Sequence, residues 1–202
     1  IIPERRVNRL LCQKRTVNLN RRKTVQSFHN RFICHLHCFL NVLSLYRFYY
    51  HLGEAEQDDH LLLIYIGVDT LQLSAFYEHK PEIVRHIKLP LNEDQLEVVR
   101  SRSGNEVYQL KDMTDGTEGL EREIITEIER FLNFYQFSLR KGEHQITKIV
   151  LTGDHPNLAQ LELALKGNFN LPFQSLLKPF FSTNKGAAIP PVFNDCIGLA
   201  LK

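Results

Sequence analysis

The chain has 202 residues, 43% of them hydrophobic and 24% charged, enough for one sizeable domain with a proper core plus an appendage. No run approaches the roughly 18 consecutive apolar residues that span a bilayer, and four cysteines without regular spacing point to reduced thiols rather than a disulfide framework. The net charge of +2 conceals an asymmetry: residues 1–50 carry ten Lys/Arg against the single acid Glu4, while the other 152 residues carry fifteen basic and twenty-two acidic side chains.

The opening Ile1-Ile2-Pro3-Glu4 has no initiator Met and no signal-peptide apolar region, so the chain reads as truncated at its N-terminus and as cytoplasmic. Residues 1–30 lack Gly and apolar periodicity and contain clusters such as Arg21-Arg22-Lys23, a composition that cannot offset its ordering entropy by burial. We read 1–40 as a basic segment, disordered or non-native (out of frame), joined to a genuine domain. A helix is expected over about 39–51 and a polar loop after Gly53, so that 41–60 forms a helix and linker.

From residue 61 the composition is that of a globular domain. Leu61 to Ile66 is a continuous apolar run, as in a strand buried on both faces. Gly67 to Thr70 supplies a turn, and Leu71, Leu73, Ala75 and Tyr77 alternate with Gln72, Ser74 and Phe76 in a second strand. Glu78 to Pro81 is a second turn before a third strand over Ile83–Leu89, completing an antiparallel meander. Leu96, Val98 and Val99 suit either strand or helix, and 101–105 reads as loop. Leu120, Ile124, Ile128, Phe131, Tyr135 and Leu139 then recur at helical spacing, with Thr117 as N-cap and Lys141-Gly142 as the stop. A fourth strand is expected at Ile146–Leu151, a helix with Pro156 in its first turn and Leu158, Leu161 and Leu165 on its buried face, and a fifth strand at Phe173–Leu177. Asp154 reads as that helix's N-cap. A Gly/Pro loop over Asn184–Pro191 precedes a closing helix at Val192–Leu201.

The expected class is therefore α/β: a three-strand antiparallel meander followed by alternating helices and strands, the layout of a ribonuclease H-like, actin-like subdomain. Residues 63–76 resemble the second phosphate-binding hairpin of actin-like ATPases, in the form carried by PilM-type pilus-assembly proteins. Ile149-Val150-Leu151-Thr152-Gly153 resembles that superfamily's adenosine motif, and Asn157 to Leu161 the helix after it. Phe193 to Leu201 is similar to the family's closing helix, and Leu45-Tyr46-Arg47 to its entry into this half. The resemblance covers about 45–202 and assigns 61–202 to the C-terminal lobe of the actin-like ATPase.

It implies nucleotide contacts at Gly67, Asp69, Thr70, Thr152 and Gly153. A glycine in a tight hairpin lets backbone amides approach a phosphate, and a hydroxyl can add a hydrogen bond. Two departures weigh against hydrolysis. Tyr65 stands where the family pattern has an Asp, and a phenol titrating near about 10 cannot replace a carboxylate on metal and water. Asp154 stands where the pattern has a second glycine. No catalytic residue is expected in this chain. ATP and Mg belong, by resemblance, to the full-length parent, and none is expected for this fragment.

Cys34-His35-Leu36-His37-Cys38, with His29 and Cys12, contains metal-ligand types, but the spacing fits no known zinc finger and no metal site is expected. The basic run Arg5–Arg31 could neutralise phosphates, yet no aromatics interleave it before Phe28, so a nucleic-acid partner is not expected. No Gly-x-Ser-x-Gly elbow, Walker-type loop or dinucleotide glycine motif occurs.

The resemblance implies a cytoplasmic, peripheral scaffold of the inner-membrane platform that builds type IV pili or related competence and type II secretion machines. Its partner would be the tail of a PilN-like membrane protein, held by the missing N-terminal lobe. The alternatives are an actin-like ATPase of the FtsA cell-division type and a basic-arm nucleic-acid-binding protein.

Overall fold

The computed structural model describes residues 40–89, 96–100, 106–110, 117–184 and 186–201, with 96–100, 106–110 and 117–118 given by their backbone alone. The chain divides into two compact units, one containing 40–57 and 178–201, the other spanning Asp58–Leu177. Residues 178–201 group with the helix that precedes the sheet. The basic segment and the Cys/His cluster lie outside the described residues.

In the larger unit β1 (Leu61–Ile66), β2 (Thr70–Tyr77) and β3 (Lys80–Lys88) form the expected meander. Glu78 and His79 make a two-residue hairpin loop, both with positive φ (48° and 61°), the twist that primed turns require. β4 (Leu96–Arg100) and β5 (Glu106–Leu110) pair as a separate antiparallel hairpin. This settles 96–99 as strand and adds a five-residue strand whose signal in Glu-Val-Tyr-Gln-Leu is too short to stand out. There follow α2 (Thr117–Asn133), β6 (Lys148–Gly153), α3 (Leu158–Asn168) and β7 (Phe173–Ser175). β6 lies parallel beside β1 and β7 parallel beside β6, giving the sheet order β3-β2-β1-β6-β7.

The central strand is apolar throughout because both its faces are enclosed. Leu62, Ile64 and Ile66 join Leu71, Leu73, Ile149 and Leu151 in a core shared with Ile124, Ile128, Phe131 and Tyr135 of the long helix and with Leu158, Leu161 and Leu165 of α3. Leu61 and Leu63, which alternate with them, are buried too. The same holds for β2, where Gln72 (2% exposed) and Ser74 (1%) are enclosed rather than facing solvent.

The apolar stripe of α2 runs as expected to Tyr135, but Leu139 is 40% exposed. From Phe134 to Leu139 the chain winds as a π-helix, with the Arg140 N–H donating to the Tyr135 carbonyl at 2.9 Å. Bonds to the fifth preceding residue put more residues in each turn, which carries Leu139 off the stripe. Lys141 (φ 51°) and Gly142 (φ 85°) then reverse the chain.

In the smaller unit a helix over 40–51, α1, packs with α4 (Asn194–Ala200), which a 3-10 turn at Pro191–Phe193 introduces. Gly198 lies against the Ser44 carbonyl, 1.8 Å from where a Cβ would stand, so the crossing admits only glycine. Phe48 packs against Phe180 and Phe181 at ring-centroid distances of 5.9 and 5.5 Å. Among the described residues no helix is long and apolar enough to cross a membrane.

Candidate functional site

The chain leaves β1 toward β2 on one side of the sheet and leaves β6 toward β7 on the other. Ligands of open α/β sheets gather at the carboxyl ends of strands where connections diverge in this way. Gly67, Asp69, Thr70, Gly153 and Asp154 all lie at that edge, and Thr152 lies in β6 directly behind it.

The turn after β1 is closed by the Gly67 N–H, which donates to the Thr70 carbonyl at 2.7 Å. The Asp69 carbonyl accepts from the Leu89 N–H at 2.8 Å, and the Thr70 hydroxyl donates to Asp69 Oδ1 at 3.2 Å. A Cβ on Gly67 would stand 3.2 Å from Tyr65 Cε1 and 3.4 Å from Asp154 Oδ1. Those two side chains join above the glycine, the Tyr65 hydroxyl donating to Asp154 Oδ1 at 3.0 Å. A ring edge and a carboxylate therefore cover the turn.

Gly153 stands opposite Ile66 with φ 153°, and a Cβ there would be 2.0 Å from the Ile66 carbonyl oxygen. That oxygen accepts from the Asp154 and His155 N–H groups at 3.1 and 3.2 Å. The glycine thus permits a close approach between strands, and the amides that follow it are engaged within the fold. Thr152, opposite Tyr65 in the β1–β6 register, is 2% exposed, so its hydroxyl is enclosed.

Asp154 does not cap the next helix. α3 starts at Leu158, and its N-cap Asn157 makes no side-chain cap bond. His155 supplies the acceptors instead: its Nδ1 takes the Asn157 N–H at 3.1 Å and its carbonyl takes the Leu158 N–H at 3.1 Å. Pro156 consequently sits in the turn ahead of the helix rather than in its first turn. Burial holds the His155 pKa below the ordinary histidine value, which keeps Nδ1 available as an acceptor. Sequence reasoning passed over His155; its place between a strand end and a helix start was the available signal. Among the described residues no group of three or more His, Cys, Asp or Glu is arranged to hold a metal ion.

No family model matches this sequence, and no curated protein matches it. Solved structures do match. A PilM–PilN type IV pilus biogenesis complex superposes with a TM-score of 0.53 at 20% identity, over 78% of this chain and 49% of that one. The fold is actin-like. Further matches are an Alp12 filament structure (TM-score 0.45, 11% identity, 72% of this chain and 47% of that one) and the ethanolamine utilization protein EutJ from Carboxydothermus hydrogenoformans (0.41, 13%, 80% and 53%). This actin-like chain spans about half the length of the structures it matches. The antiparallel meander followed by alternating helices and strands is the layout that the sequence led us to expect.

Proposed function

We propose that the chain is one lobe of a PilM-like scaffold, acting in assembly of a type IV pilus or a related competence or secretion machine, and that it does not hydrolyse ATP. The single observation carrying the second half is the Tyr65–Asp154 pair over Gly67. A phosphate chain approaching this turn meets a carboxylate and a ring edge, and the amides of Gly67, Asp154 and His155 already serve carbonyl oxygens. Electrostatic stabilisation of phosphoryl transfer needs free donors or cations at that place. The arrangement does not fit bound nucleotide phosphates, so no step through ATP or Mg is assigned to this chain.

The pilus role is supported by the likeness to the PilM–PilN complex and by the motifs at 63–76, 149–153 and 193–201. A PilN-like membrane protein would be the partner, its tail held by the other lobe, with the scaffold lying at the inner face of the cell membrane. Deleting the coding gene in its host should abolish surface pili or the equivalent machine, and intact assembly in the deletion strain would reject the role. Purified chain given Mg-ATP should release no phosphate; steady turnover would favour a hydrolysing actin-like ATPase instead. A PilN-like tail peptide titrated into the chain alone should bind weakly, and tight binding would overturn its assignment to the other lobe.

A further inference from the structure

Tyr65 is out of keeping with the strand that carries it. The other residues of β1 are aliphatic and buried, whereas Tyr65 is part-exposed and polar at its tip. Its register partner on β6 is Thr152, and two residues further on stands the exposed Asp154. The two side chains thus leave neighbouring parallel strands at one edge and meet there, hydroxyl to Oδ1, at 3.0 Å.

They meet over the one glycine of the turn. From the place of a Cβ on Gly67 it is 3.2 Å to Tyr65 Cε1 and 3.4 Å to Asp154 Oδ1, so the space beside the glycine is taken by two side chains. Neither is needed to build the backbone beneath them. The turn closes through the Gly67 N–H on the Thr70 carbonyl, its Asp69 carbonyl is tied to the Leu89 N–H, and the strand ladder runs on to Ile66 and Gly153.

The turn also keeps donors of its own. Among the described residues the Val68 and Asp69 N–H groups make no hydrogen bond, and Asp69 Oδ1 takes the Thr70 hydroxyl at 3.2 Å. Successive amides in a turn favour an anion, while a carboxylate fixed beside the glycine opposes one.

We infer that Tyr65 and Asp154 are specificity-determining residues: together they bar a phosphate-bearing ligand from the Gly67 turn, and without them the turn accepts one. The inference rests on the reading that phosphates do not fit this edge, and goes beyond it by assigning the exclusion to two side chains rather than to the backbone. The ring supplies bulk and the carboxylate supplies repulsion, a device that rejects a ligand instead of selecting one. Their hydrogen bond orients each by the other.

Amide NMR on the full chain tests this, with inorganic pyrophosphate as the probe and chloride at matched ionic strength as the control. In the wild-type chain the Val68 and Asp69 resonances should stay in place through millimolar additions. In Tyr65→Ala combined with Asp154→Gly they should shift and saturate in that range. A saturating shift in the wild type would reject the closed edge itself, and the inference with it. Unmoved Val68 and Asp69 in a double variant whose β1 and β6 amides keep their wild-type positions would overturn the inference and leave the closed edge standing. If those strand amides report a lost fold, Tyr65→Thr with Asp154→Ser, which keeps a β-branched residue in β1, takes its place and the same outcomes decide.

Discussion

Gly153 and Ile66 are opposed in adjacent parallel strands so closely that a Cβ on the glycine would sit 2.0 Å from the Ile66 carbonyl oxygen. Backbone cannot yield there as a flexible side chain could. Gly153→Ala should therefore cost about 3 kcal/mol or more of folding stability in urea denaturation, through both the clash and the φ of 153°. Gly67→Ala meets the edge of the Tyr65 ring at 3.2 Å and Asp154 Oδ1 at 3.4 Å, both side chains that can shift, and about 1 kcal/mol is expected.

The β2–β3 hairpin can be improved. Glu78 and His79 both hold positive φ without being glycine, and left-handed backbone costs a side-chain-bearing residue roughly 1 kcal/mol. His79→Gly should stabilise the chain by up to about 1 kcal/mol, read as a shift of the urea midpoint with unchanged slope.

Tyr135 carries a hydroxyl whose partners are His60, Glu82 and Arg140. Burial first, and then the bond to Glu82, push its pKa up to about 12, so it remains a neutral donor throughout the working range. Tyr135→Phe keeps the ring in the core but strands the His60 Nδ1–H, and about 1–3 kcal/mol of stability should be lost. The Glu82–Arg140 ion pair survives the change, so the loss should stay short of unfolding.

His155 gives a pH dependence whose sign is fixed. Its folded pKa lies below the unfolded value near about 6.5, because burial disfavours the imidazolium. Its contribution is complete above that unfolded value, declines as the pH falls below it, and levels off once the pH passes the folded value. Unfolding free energies measured from about pH 8 down to about pH 5 should show this decline. His155→Asn, which keeps an acceptor near the position of Nδ1 but does not titrate, should flatten part of it; the remainder belongs to His60, whose pKa is also lowered.

Much of this molecule is written locally. The run Leu61 to Ile66 identifies the central strand without help from any other segment, and the spacing from Leu120 to Tyr135 identifies the helix that covers it. The glycines between strand ends and turns are also visible in one dimension. What the glycines do there is not. The Tyr65 hydroxyl meets Asp154 across 89 residues, and the approach of Gly153 to Ile66 depends on a strand pairing no periodicity encodes. Gln72 and Ser74 alternate with the apolar residues of β2, yet both are buried, so on this strand alternation does not mark an exposed face. The His60 cluster escaped notice for the same reason: its bonds span 53 to 75 residues.

The π-wound turn after α2 has a consequence for how related chains would line up with this one. Each of its bonds encloses one residue more than an α-helical bond does. A relative with an uninterrupted helix would lack one residue inside this element, where a deletion normally rotates everything downstream by about 100° and ruins the core face. Here that rotation is confined to the last turn, so the helix keeps its buried stripe while its end is re-phased toward the sheet edge. Removing one residue from 136–139, beyond the buried Tyr135, should accordingly leave the core intact and turn Arg140 away from Glu82, uncoupling the far edge of the sheet from the helix that spans it.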